Sequence, residues 1–341
     1  MMDLPELIIL DIGHGNCAIV RDTEGVIVID SAHGATLIET LAHLSIREIS
    51  HILISHADED HIAGIIDILL DRNIKVTNLY INSDAQRRTR TWQALRIAVR
   101  DSRQRSGTRI VIGLTTELTN QLNVGQVKVE ILAPTPELAM SGAGGQDLQG
   151  RRLNPNSISA VIGLVHDSHR VAILAADIDQ VGLNNLLQER SDLKADILVF
   201  PHHGGRPGGA DGKAFAQQLC DLVKPNLVVF SIARGRFGNP RQEIVEGIVS
   251  SVPTAHILCT QLSSKCTDSV PDSEPAHLNA LPARGRTSNS CFGGTVSIEI
   301  AGDRTNYDTG IVAHREYIDR VSNPLCRRFS DFGYSDFCLH L

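Results

Sequence analysis

The run His56-Ala57-Asp58-Glu59-Asp60-His61 follows directly on an apolar stretch, His51-Ile52-Leu53-Ile54-Ser55. The apolar stretch reads as a buried strand, so two imidazoles and the carboxylates of Asp58 and Asp60 would gather at its end. Donors gathered this way suit two divalent cations about 3.5–4 Å apart, a pair that activates water for hydrolysis at neutral pH. A plainer reading is a polar turn in which Asp60 caps a helix running from His61 to about Asp71. Capping needs one acid and explains neither histidine. The two readings are compatible, because ligands at a helix start are held by a rigid element.

The rest of the chain must supply that strand, that helix and the remaining donors. Short strands separated by Gly-containing turns are expected at Leu7–Ile12, Cys17–Arg21 and Val26–Asp30, with a helix at Ala35–Leu44. Beyond the motif come a strand at Val76–Ile81 and an amphipathic helix at Thr89–Arg103. Further strands are expected at Val127–Ala133, Ser159–Val165, Arg170–Ala175, Ile197–Phe200, Leu227–Ile232 and His256–Cys259. Helices are expected at Gln180–Glu189, Asp211–Val223 and Arg241–Ser250. Two strand-rich halves with interspersed helices imply an α/β fold of two packed sheets covered by helices. Ser141 to Pro155 and Ser263 to Ser290 read as long loops, and the turn His166–His169 as solvent-exposed.

Composition sets the outer limits. The 341 residues are 42% hydrophobic, enough for a substantial core, and no segment approaches the roughly 18–20 apolar residues of a membrane span. The start MMDLPELIIL lacks a basic leader and a cleavage site, and seven irregularly spaced cysteines form no disulfide framework. A reducing, cytoplasmic setting is the expectation. A net charge of −7 argues against avid unspecific binding to nucleic acid. Locally the balance reverses: Gln86 to Arg109 holds eight arginines against the single acid Asp101, a solvated helix face or a phosphate-binding ridge. Cys259, Cys266, His277 and Cys291 could bind a structural metal, although their spacing fits no compact pattern.

Five motifs in order now give a resemblance. Leu10-Asp11-Ile12-Gly13-His14-Gly15-Asn16-Cys17, Val28-Ile29-Asp30-Ser31, Ser55-His56 through Gly64, Leu174-Ala175-Ala176-Asp177-Ile178, and Phe200-Pro201-His202-His203-Gly204-Gly205 resemble the opening DVGQGDA, LIDTG, SHxDxDHxGG, LTGDI and VxHHGS runs of one group. That group is the metallo-β-lactamase-fold hydrolases, and within it the soluble hydrolase domain of ComEC-type DNA-uptake proteins. The likeness covers roughly residues 5–260. It implies a four-layer αββα metallo-β-lactamase sandwich over residues 1–300 with a C-terminal helical and aromatic extension, 301–341, that could dock a protein partner.

The resemblance also implies roles. His56 and Asp58 would serve one cation, Asp60 and His61 the other, with Asp177 bridging; Asp60 and Asp177 would be catalytic. His202, in preference to His203, would complete the second site, and Asp30 would anchor the imidazoles through a hydrogen bond. Departures accompany it. Asn154-Pro155-Asn156-Ser157 stands where many members place a further histidine, leaving Asn156 as a weak ligand and favouring Mn²⁺ over Zn²⁺ at that site. The group's Gly-His-Pro-His run appears as Phe237-Gly238-Asn239-Pro240-Arg241, which removes a candidate general acid. Arg234, Arg236, Asn239 and Arg241 could still hold an anionic group. His14 replaces the group's Gln and could face the site from its Gly-flanked turn.

These readings converge on a two-metal (Zn²⁺ or Mn²⁺) phosphodiesterase or nuclease acting on DNA or a nucleotide, with no membrane partner. Two rivals remain open at this stage. One is hydrolysis of a small ester, lactone, thioester or cyclic nucleotide, since the fold serves many chemistries. The other is a metal-stabilised binding subunit without turnover.

Overall fold

The computed structural model describes residues 4–82, 88–301, 304–306 and 308–329. The first half of the chain supplies β1 (Glu6–Ile9), β2 (Ala18–Asp22), β3 (Gly25–Ile29), β4 (Glu48–Ile54), β5 (Lys75–Ile81) and β6 (Arg109–Ile112). The second supplies β7 (Lys128–Ala133), β8 (Val161–His166), β9 (His169–Leu174), β10 (Ile197–Val199), β11 (Leu227–Phe230) and β12 (His256–Cys259). Two last strands, β13 (Val296–Ala301) and β14 (Arg304–Asn306), return to the first sheet. The sheet orders are β14-β13-β1-β2-β3-β4-β5-β6 and β12-β11-β10-β9-β8-β7.

Side-chain alternation explains why the two sheets stack. On β1, Leu7 and Ile9 face the space between the sheets, while Ile8 faces outward. On β10, Ile197 and Val199 face inward and Leu198 outward. Each strand thus buries both faces, one against the other sheet and one against helices. The outer face of the first sheet is covered by α1 (Thr36–His43), α2 (Glu59–Leu70) and α3 (Arg90–Ser106), through Leu37, Leu41, Ile62, Ile65 and Leu95. The short α4 (Pro136–Ser141) follows β7 and packs Leu138 against Leu153 and Ile158. The second sheet is covered by α5 (Gln180–Glu189), α6 (Gly212–Val223) and α7 (Gln242–Ser251), through Leu183, Phe215, Leu219, Ile244 and Ile248. The result is the expected αββα sandwich.

The parallel runs β3-β4-β5 and β9-β10-β11 matter for the site, because their carboxyl ends open on one rim. Loops leaving such ends commonly carry ligand-binding residues in open α/β sheets. Two glycines let those loops close up. A Cβ on Gly15, whose φ is +129°, would collide with the Asp60 carbonyl oxygen and the Ala32 side chain. One on Gly64 would collide with Ser31 Oγ and the Ala32 carbonyl oxygen.

The structure corrects several expectations. The helix after the motif begins at Glu59 with Asp58 as N-cap residue, and no side chain caps it, so Asp60 lies in the first turn. His166 is buried at 5% exposure, and His169 contacts Asp196 at 2.9 Å. The Ser141–Pro155 segment is pinned by Asp147, which accepts from the Arg151 side chain, and by the buried Leu153. β6, β13 and β14 were not foreseen.

Beyond β14, α8 (Asp308–Ile318) and α9 (Leu325–Arg328) lay Ile318 and Leu325 on the outer core of the second sheet. His314 Nδ1 there meets His256 Nε2 at 2.9 Å, both side chains being buried. Burial, with Arg315 and Arg327 nearby, lowers the His256 pKa to about 3, and burial beside His256 and His277 lowers that of His314 well below 6.5. The unfolded chain therefore binds more protons than the folded one below about pH 6.5, and stability present above that pH is lost as pH falls towards 3. Replacing His314 with Gln should flatten this loss by up to about 1.4 kcal/mol per pH unit, read from urea midpoints at about pH 7.5 and about pH 5.5. Among the described residues, no helix is long and apolar enough to cross a membrane.

Candidate metal centre

The rim collects His14 from the β1–β2 loop, His56, Asp58, Asp60 and His61 from the β4–α2 junction, Asp177 from the β9–α5 loop, and His202 and His203 from the turn after β10. Asp177 lies at the middle. Its Oδ1 is 3.4 Å from His61 Nε2 and 3.7 Å from His203 Nε2. Its Oδ2 is 3.9 Å from His56 Nε2 and 3.5 Å from His202 Nδ1. His56 Nε2 lies 3.4 Å from Asp58 Oδ2, and Asp60 Oδ2 lies 3.3 Å from His203 Nε2 and 3.4 Å from His14 Nε2. Two clusters of donor atoms, each within 4.8 Å of one another, result: His56, His61 and Asp177, and His14, Asp60 and His203.

The imidazoles are oriented from behind. Asp30, buried and at φ +54°, accepts hydrogen bonds from Ser55 N (2.8 Å) and Ser55 Oγ (2.6 Å) and contacts His61 Nδ1 at 2.8 Å. As a carboxylate it can only accept, so His61 keeps a proton on Nδ1 towards Asp30 and turns Nε2 to the centre, where a cation would take the place of a second proton. Ser55 Oγ has already donated to Asp30, so it and Ser159 Oγ, at 3.0 and 3.3 Å from His56 Nδ1, fix that ring the same way. His202 and His203 both have positive φ, +53° and +54°, a strained backbone that points both rings inward. Asn239 donates to the His202 carbonyl oxygen and steadies this turn.

Burial and charge set the protonation. Burial, reinforced by the charge of His61, lowers the His56 pKa to about 3. Burial acts the same way on His61, but Asp177 and Asp30 outweigh it and hold its pKa well above 6.5. Burial raises Asp60 and Asp177, yet the neighbouring histidines dominate and keep both carboxyls below the ordinary range. Burial and the charge of His203 lower the His14 pKa to about 4. Among the described residues, His56 Nε2, His61 Nε2, His203 Nε2 and Asp177 Oδ1 are buried without hydrogen-bond partners. Such atoms are costly unless something fills the space between them, and nitrogen and carboxylate donors aimed at common points fit a divalent cation.

The other sequence candidates divide. Asn156 starts a 3-10 turn, and its buried Oδ1 has no hydrogen-bond partner among the described residues. Arg236 lines a cavity of about 320 Å³ beside the centre, together with His14, Ala32, His33, Glu59, Asp60, Phe237 and Arg284. Arg234 points elsewhere: its guanidinium donates to the carbonyl oxygens of Leu262 and Thr267, holding the following loop. Arg241 is the N-cap residue of α7, and its amide donates to the Gly204 carbonyl oxygen. None of the α3 arginines lines the cavity; Arg87 lies outside the described residues. Cys259, Cys266, Cys291 and His277 form no donor cluster among the described residues. Cys291 instead contacts Asp11, and His277 the Phe292 carbonyl oxygen.

Arg284 and Phe237 escaped sequence reasoning. Arg284 Nη1 donates to the Ile12 and His33 carbonyl oxygens, a contact across 272 and 251 residues that no local pattern reveals. Asp11, the first acid of the Leu10–Cys17 motif, is away from the donors. It accepts from the Gly13 and Gly285 amides and from Gln261 Nε2, and so fixes the loop that presents His14.

The two-sheet sandwich matches the metallo-β-lactamase fold and carries a His/Asp cluster able to hold a metal ion. Residues 10–137 match the family model described as the Metallo-beta-lactamase superfamily. Over 218 residues the chain is 24% identical to ComE operon protein 3 of Bacillus subtilis (strain 168). That match covers 62% of this chain and 23% of the relative, so the chain spans about a quarter of the relative's length. Among solved structures, the metallo-beta-lactamase fold protein YhfI from Bacillus subtilis is similar at TM-score 0.45 and 11% identity, over 75% of this chain and 96% of that one. Igni18, a metallo hydrolase from Ignicoccus hospitalis, is similar at TM-score 0.44 and 15% identity, over 74% and 94% of the two chains.

Proposed function

We propose that this chain is a hydrolase using two divalent cations, Zn²⁺ or Mn²⁺, and that its substrates are phosphodiesters of DNA or nucleotides. The observation that carries the reading is the set of buried, unpartnered donors on either side of Asp177. His56, Asp58 and His202 would hold one cation and Asp60, His61 and His203 the other, with one Asp177 oxygen towards each. This assignment moves His203, rather than His202, to the Asp60 side, because His203 Nε2 approaches both Asp60 and Asp177. His14, at 3.4 Å from Asp60, would close that side as a further ligand. Bound there, the cations supply Lewis acidity and lower the pKa of water.

The side chains do the remaining work. Asp177 orients the attacking water, and Asp30 keeps the His61 lone pair on target through Nδ1. Arg236 and Arg284, both on the cavity wall, offer positive charge to the anionic substrate. With no histidine at Asn239 or Arg241, the leaving oxygen would take its proton from solvent. The phosphodiester choice is supported by these arginines and by the likeness of five motifs to a DNA-uptake hydrolase domain.

The test is a panel of single-stranded DNA, RNA, cyclic dinucleotides and bis-p-nitrophenyl phosphate with Mn²⁺ and Zn²⁺, beside metal content by mass spectrometry. We expect about two bound metals per chain and turnover that chelators remove. Hydrolysis of esters or thioesters with none of phosphodiesters would overturn the substrate class. A chain without metal and indifferent to chelators would overturn the whole reading.

A further inference from the structure

We infer that Phe237, with Arg236, forms a stacking platform for an unpaired nucleobase beside the metal centre. The inference rests on the phosphodiesterase reading and narrows it to substrates whose bases are free to lie flat, on a single strand or a free nucleotide.

Phe237 is a large apolar side chain left 62% exposed. It also stands at φ +56°, a left-handed conformation that an aromatic residue adopts at a cost. Gly235 and Gly238, at φ +75° and +63°, flank it, so the loop turns the ring outward instead of tucking it into the core. The ring leans on His14, with centroids 4.5 Å apart, and His14 in turn lies 3.4 Å from Asp60. The platform therefore touches one of the proposed ligands directly. The Arg236 guanidinium lies over the Phe237 ring, its carbon 5.1 Å from the centroid, so a base would stack on the exposed remainder of the ring with the cation against its edge.

Both residues line the same cavity as Asp60, and at about 320 Å³ its volume falls in the range of small-molecule sites. The pairing of an aromatic face with a neighbouring cation is how proteins hold single-stranded nucleic acid without reading sequence. In a duplex each base face is covered by its neighbours, so a paired base would first have to leave the stack. A ring that served only to shield His14 would be indifferent to whether the substrate carries a base.

The experiment compares kcat/KM of the metal-loaded full chain on two short single-stranded oligonucleotides, one intact and one with an abasic residue beside the scissile bond. Wild type should favour the intact strand by about 10- to 100-fold, the span expected for one base–aromatic stack. Phe237→Ala should bring that ratio to about 2 or below, and Phe237→Trp should keep it. Linear and cyclic dinucleotides assayed in parallel tell a strand from a free nucleotide as the source of the base. The exposed ring makes loss of fold in Phe237→Ala easy to detect by its melting temperature. Cleavage of intact and abasic strands at equal rates by wild type would overturn the platform and leave the phosphodiesterase standing. Absence of any phosphodiester hydrolysis would instead overturn the reading beneath it.

Discussion

Asp177→Asn should lower kcat for phosphodiester hydrolysis by about a thousandfold or more, the upper end of what one preorganised electrostatic group contributes. Asp177 is the one carboxylate with an oxygen directed to each donor set, so its amide would weaken both. Bound metal should fall below two per chain, while the far-UV circular dichroism should match wild type. The comparison with Asp60→Ala is informative, because Asp60 contacts His14 and His203 on one side of the centre. Its loss should empty one side and spare the other. Turnover like wild type in either variant would refute the assignment.

The second large effect belongs to a residue that touches no cation. Asp30→Ala should destabilise the fold by about 3–5 kcal/mol, because it strands Ser55 N, Ser55 Oγ and His61 Nδ1 in a dry interior. Asp30→Asn separates the two roles of this carboxylate. The amide keeps an acceptor but can set its NH₂ against the His61 ring proton, which disturbs the orientation of the Nε2 lone pair. We expect metal affinity in Asp30→Asn to drop 10- to 100-fold, the usual cost of losing a partner behind a metal-binding histidine. Isothermal titration with Zn²⁺ or Mn²⁺, beside urea unfolding, reads the two effects apart. Wild-type affinity in Asp30→Asn would show that the hydrogen bond does not orient the ring.

What could be read in the sequence follows from distance along the chain. The β4 strand, the following helix and the donors at their junction lie within residues 48–70, and the spacing of apolar and polar residues shows them directly. The same holds for β9 and β10, whose apolar runs end just before Asp177 and His202. β13 is hard to read because Ile298 and Ile300 are its fully buried residues, Val296 being half-buried, and it pairs with β1, almost the whole chain away. The arginines were ambiguous for a related reason. Arg234 and Arg236 are two residues apart, yet one is held by the carbonyl oxygens of a loop some thirty residues on and the other lines the cavity. Composition cannot tell such neighbours apart; only the path of the later loop does. Phe237 looked like a lost histidine motif until its outward ring was seen against His14.

The donors come from both sheets: His56, Asp58, Asp60 and His61 from the β4–α2 junction of the first, Asp177, His202 and His203 from the turns after β9 and β10 of the second. A filled centre would thus act as a rivet across the sandwich. Free cation at a thousand times its dissociation constant would add about 4 kcal/mol to the folded state. Starved of cation, the molecule should gape first along that seam, and nicking of the rim loops by a protease would then gauge metal supply before any loss of turnover was measured.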